Sequence, residues 1–150
     1  MLPTVEGGGF VKPSRKNGAA AVAYMRDLAK TKATGVKGYC LRTCRLAWGL
    51  PSDQPSAIKE WQSIPDKFKH KDPNTAPVGA PHFWSGGKYG HVALQAEHEG
   101  YVWTTDLPVP NRVGLVDIAF INKKWRYKYL GWSEQFQNAK LPLGPEAPDA

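Results

Sequence analysis

Cysteine is scarce in this chain: Cys40 and Cys44 are the only two among 150 residues. A structural disulfide between them fits poorly. Both lie in "GYCLRTCRLAWGL", one helical turn apart, where a bridge closes a tiny loop. Their C-x-x-x-C spacing also differs from the C-x-x-C of thioredoxin-type redox pairs. No apolar run approaches the roughly 20 residues that cross a bilayer, so no membrane span is expected. "MLPTVEGGGF" lacks a basic segment followed by an apolar one, so no secretory signal is read. The chain is therefore expected to be made in a cytoplasm, where thiols stay reduced. Cys40, Cys44, His70, His82, His91 and His98 are enough for a zinc site in number, but no C-x-x-C or H-x-x-x-H pairing groups them. No metal and no cofactor are expected.

Acidic residues are in deficit, 13 against 20 Lys and Arg, giving a formal charge of +7. The excess favours a polyanion such as nucleic acid, an acidic wall polymer or anionic lipid, and does not choose among them. The Lys residues are scattered rather than interleaved with aromatics on one element, which argues against a nucleic-acid partner. Six Trp and six Tyr are a high aromatic load, suited to filling a core or lining a carbohydrate or peptide groove.

Residues 1–16, punctuated by Gly and Pro, read as an irregular arm. "NGAAAVAYMRDLAKTKA" places Val22, Met25, Leu28 and Ala29 on one helical face. A second helix runs over about 40–48 and stops before "GLP"; a third follows in "PSAIKEWQSIP", capped by Ser56 and ended by Pro65. The period then switches to two. "PHFW", "HVALQAE" and "YVWTTD" read as strands, "VGLVDIAFINKKW" as a strand and then a helix capped by Asp117, and "YKYLGW" as a final strand. Helices first and strands afterwards predict an α+β domain over 17–143 with a mainly antiparallel sheet. Residues 144–150, "GPEAPDA", form a Pro/Ala-rich tail, either a frayed end or a linker towards a wall-binding domain in a longer chain.

Cys44 falls in a helix interior and reads as a small core residue. Cys40 differs, because it sits where a Gly-containing loop meets a helix start. Free N–H groups and the helix dipole there favour a thiolate, and the amides around Tyr39 to Leu41 are placed to hold an oxyanion. A cysteine nucleophile works best beside a histidine. His70 lies in the charge run "KFKHKD", His98 in a hairpin turn, and His82 reads as a strand-edge residue. His91 opens a strand directly behind a glycine, which lets backbone approach closely. If a two-residue turn sits between His98 and Glu99, facing residues sum to 197 and His91 lies opposite Asp106. Val92, Leu94 and Ala96 then share a face with Tyr101, Trp103 and Thr105. Cys40 attacks, His91 shuttles the proton and Asp106 orients the imidazole in this arrangement. Asp106 reads equally as a cap that ends its strand.

"GYC" opening a helix, "YGHVAL" opening a strand and a polar residue on the next strand resemble the NlpC/P60 and CHAP cysteine peptidases. The resemblance spans roughly residues 17–135. It implies a papain-like architecture with N-terminal helices packed on an antiparallel sheet, and the catalytic domain of an actinobacteriophage endolysin. Cys40, His91 and Asp106 take the three catalytic places. "YCLRTC" departs from the "DCSG" usual in NlpC/P60, and Asp stands where CHAP members often carry Glu or Asn. The implied function is hydrolysis of stem-peptide or cross-bridge amides of peptidoglycan at the cell wall, through a thiol acyl-enzyme. Alternatives are an N-acetylmuramoyl-L-alanine amidase, another thiol acyl transferase, and a non-catalytic module binding wall or polyanion. Trp84 and Tyr89 are candidates for the substrate groove or the core, and Tyr39 for an oxyanion contact.

Overall fold

A computed structural model of the chain describes residues 9–144. It is α+β, with four helices and a mainly antiparallel six-stranded sheet. Three helices come first: α1 Gly18–Lys30, α2 Cys40–Trp48 and α3 Ala57–Ser63. The starts of α1 and α3 follow from local signals. Asn17 Oδ1 accepts from Ala20 N at 2.9 Å and Ser56 Oγ from Lys59 N at 3.3 Å, the side-chain caps that relieve unpaired helix amides. Gly49, at φ +67°, ends α2 in the left-handed conformation that glycine adopts cheaply.

The strands are β1 Lys69–His70, β2 Pro81–Ser85, β3 His91–Gln95, β4 Tyr101–Thr105, β5 Val113–Asp117 and β6 Lys128–Ser133, in the order β1-β6-β2-β3-β4-β5. Between β5 and β6, α4 spans Ile118–Trp125, with Asp117 Oδ1 accepting from Ala119 N at 2.7 Å. "VGLVDIAFINKKW" thus resolves into strand and capped helix, as its sequence suggested. A small hairpin, β7 Gln135–Phe136 with β8 Ala139–Lys140, follows the strand expected to be last.

Both faces of the sheet are covered, which is why β3 is buried along its whole length. Phe83, Val92, Leu94 and Trp103 pack with Val22, Met25, Cys44 and Trp48 of the N-terminal helices. Trp84, Ala93, Val102 and Val116 pack on the other face with Ile118 and Ile121 of α4. Gly18 lets α1 touch the chain beneath it, since a Cβ there would collide with the Val78 carbonyl.

Leu94↔Trp103 and Gln95↔Val102 pair across β3 and β4, which is the 197 register. His70 departs from its expected place in a solvated run. It lies in β1, half-buried, with Nε2 2.6 Å from Glu134 Oε2 and its ring stacked 4.1 Å from Trp132. His82 is not at a sheet edge either. It is fully buried in β2 between two neighbouring strands, and its ring nitrogens lie 2.6 Å from Tyr129 Oη and 2.7 Å from Gln95 Oε1. Of the irregular arm, Val11 N donates to Asn138 O at 2.8 Å; residues 1–8 and 145–150, hence most of the expected tail, lie outside the described residues.

Candidate active site

Cys40 is the first residue of α2, reached through Gly38 at φ +74°. The N–H of Tyr39 is committed to Val36 O at 2.9 Å, so the amides left to the site at the helix mouth are those of Cys40 and Leu41. The backbone groups of Val92 at the start of β3, of Leu41 and of Cys40 itself favour the ionised sulfur. Burial nevertheless outweighs them and pushes the thiol up to about 11, with the Asp106 charge adding to the shift. The thiolate expected from helix position alone is therefore not the resting form. Cys44, fully buried, lies one turn on with its thiol 3.7 Å from Val92 O, a core residue as expected.

His91 opens β3 behind Gly90, whose φ is +70° and where a Cβ would press on Trp84 O and Ile58. The imidazole belongs to the α4 face, 5.7 Å from the Trp84 ring and edge-on to Trp125 at 4.9 Å. Burial lowers it from 6.5 to about 3, so it rests neutral. Nε2 lies 2.7 Å from Thr104 Oγ1, and that hydroxyl donates to Thr105 O at 3.2 Å. With its proton so engaged, Thr104 accepts from Nε2–H, which makes Nδ1 the basic nitrogen. Among the described residues, no hydrogen bond joins Cys40 to His91; the two reach the start of β3 from opposite faces, Cys40 at the Val92 backbone and His91 beside Trp84.

Asp106 does not orient His91. Its backbone turns left-handed at φ +67°, and its carboxylate accepts from Gly38 N at 2.9 Å and Asn111 N at 2.8 Å. Asn111 Oδ1 in turn accepts from the amides of Gly35, Val36 and Lys37 at 2.8, 3.0 and 3.2 Å. Together they fasten the loop that delivers Cys40. The polar residue on the neighbouring strand that does meet His91 is Thr104. The signal for it was available, because in the 197 register Thr104 is the diagonal neighbour of His91 on the same face.

Cys40 lines an open cleft of ≈ 400 Å³ with Tyr39, Arg42, Arg45, Gln54 and Tyr89. Tyr39 and Tyr89 are 50% and 59% exposed, where a groove needs them. Trp84 is not a groove residue: it is fully buried, donates Nε1–H to Asn122 Oδ1 at 2.6 Å and forms the wall behind His91. The rim at Asp53 and Gln54 is held from inside. Gln137 Oε1 accepts from their amides at 2.6 and 3.3 Å, and buried Glu60 accepts from Gln137 N at 2.9 Å and Nε2 at 2.8 Å.

Comparison with protein-family models, with curated proteins and with solved structures returned no match. Among the described residues, no helix is long and apolar enough to cross a membrane.

Proposed function

We propose that this chain is a cysteine hydrolase that cleaves peptide bonds of peptidoglycan, acting as an endopeptidase on stem peptides or cross-bridges. The observation that carries the reading is the position of Cys40. It is a helix-first cysteine that lines an open cleft, beside a strand that begins with a histidine whose Nε2 is engaged by Thr104. As the thiol attacks the scissile carbonyl, the S–C bond forms and its proton passes to His91 Nδ1, a step that requires the imidazole to swing from the α4 face towards the cleft. The amides of Cys40, Leu41 and Val92 stabilise the oxyanion. The C–N bond then breaks, the imidazolium protonates the leaving amine, and water assisted by His91 hydrolyses the thioester. Both groups rest neutral, so no thiolate–imidazolium pair is preformed, and a histidine lowered to about 3 is a weak base until its surroundings change. The positive charge holds the enzyme near an anionic wall.

The competing reading is a non-catalytic wall-binding module. It draws on the raised thiol and on the missing Cys40–His91 hydrogen bond. Mass spectrometry of purified peptidoglycan treated with the parent chain, Cys40→Ala and Cys44→Ser separates the two. New amino termini with the parent and Cys44→Ser but not with Cys40→Ala support the hydrolase. Wall binding by all three with no new termini from any sinks it.

A further inference from the structure

We infer that Arg42 and Arg45 form a carboxylate-recognition subsite beside Cys40, so that the substrate is a peptide carrying a free carboxylate close to the attacked carbonyl. The inference rests on the hydrolase reading for the word substrate, and on the cleft alone for the binding. The two residues stand three apart on α2 and therefore share a helix face. Both line the cleft that holds Cys40.

Each guanidinium is fixed on one side only. Arg42 lies 3.9 Å from the Tyr39 ring centroid and donates from Nη2 to Gly35 O at 3.1 Å. Arg45 donates from Nη1 to Leu50 O at 2.9 Å. A guanidinium has five N–H donors in a rigid fork, so one such bond orients the group and leaves donors for a ligand. Among the described residues, the ion pairs join Arg26 to Glu97, Lys69 to Asp66 and His70 to Glu134, so no described carboxylate pairs with Arg42 or Arg45. Asp53, between the rim residues Ser52 and Gln54, accepts from Gln54 Nε2 at 3.4 Å instead. The charged side chains lining the cleft are thus these two cations, with the hydroxyl and amide groups of Ser52, Gln54 and Ser56 around them. A planar carboxylate is the ligand group that such forks bind two donors at a time.

The test is calorimetric binding to a Cys40→Ala chain, which cannot turn over. The probes are a synthetic stem tetrapeptide with free carboxylates and the same peptide with every carboxylate amidated. The free acid should bind at least about ten-fold more tightly, the worth of one charge-assisted hydrogen bond. Adding Arg42→Gln or Arg45→Gln should shrink that preference, and Arg→Lys at the same positions should keep part of it; a merely structural role for the arginines predicts that Lys and Gln fail alike. Equal binding of the two peptides, no binding of either, or a preference indifferent to both arginines overturns the inference. If the parent chain cleaves the peptides in any of those cases, the hydrolase reading survives. An arginine-dependent preference with no cleavage by the parent chain has the opposite meaning, sparing the subsite and removing the hydrolase.

Discussion

Thr104 Oγ1 lies 2.7 Å from His91 Nε2 and donates its hydrogen bond to the Thr105 carbonyl, which leaves it to accept from Nε2–H and assigns the imidazole one tautomer. Thr104→Val removes the acceptor and leaves a buried ring N–H unpaired. Peptidoglycan cleavage should fall about ten-fold, the loss expected for one orienting hydrogen bond, and Thr104→Ser should restore most of it. An unchanged rate in Thr104→Val would show that the tautomer is set elsewhere.

The neutral state of Cys40 is open to direct chemistry. With burial raising the thiol to about 11, iodoacetamide labelling should climb about ten-fold per pH unit between pH 7 and 10 without levelling. Asp106→Asn removes a negative charge and should shift that curve towards lower pH. Cys44, with no exposure, should stay unlabelled in the folded chain. A plateau near neutrality would reveal a thiolate already paired with an imidazolium.

Buried ionisable groups give stability a pH dependence of two opposing signs. Burial lowers His82 and His91 from 6.5 to about 4 and about 3, so below pH 6.5 the unfolded chain binds protons that the folded one refuses. Their contribution is intact above pH 6.5 and drains away as pH falls towards 3. Glu60 acts the other way. Burial raises its carboxyl from 4.5 to about 7, so its contribution is full below pH 4.5 and is lost as pH rises through 7. Thermal melting between pH 4.5 and 6.5 should therefore depend more steeply on pH in Glu60→Gln and less steeply in His82→Gln. Parallel curves for all three chains would refute the assignment.

Gly18→Ala should cost about 3 kcal/mol in denaturant unfolding, because its methyl group meets the Val78 carbonyl rather than a side chain that can turn away. An unchanged midpoint would mean that α1 can lift from that segment freely.

Much of this arrangement was legible in the residues themselves. Ser56 and Asp117 announce their helices because a capping side chain acts within three residues of itself. The β3–β4 register matched the count, although the chain turns over residues 97–100 rather than in the two-residue turn assumed, because the longer turn is centred on the same point. What escaped depends on distant chain. Asp106 stands opposite His91 by counting, but a left-handed backbone at that one position sends its carboxylate to Gly38. Trp84 alternates like a groove residue, yet α4 arrives later in the sequence and covers that face. The partners of His82 come from β3 and β6, and strands of two residues such as β1, β7 and β8 are too short to show a period.

The turn from Asp106 to Asn111 looks peripheral, and Val109 at its tip is 54% exposed. Yet the two ends of this turn receive four amide protons from the segment 35–38. A protease nick or an inserted tag at Val109 is therefore a lesion to the sulfur's mooring, felt at residue 40 without touching any group that lines the cleft.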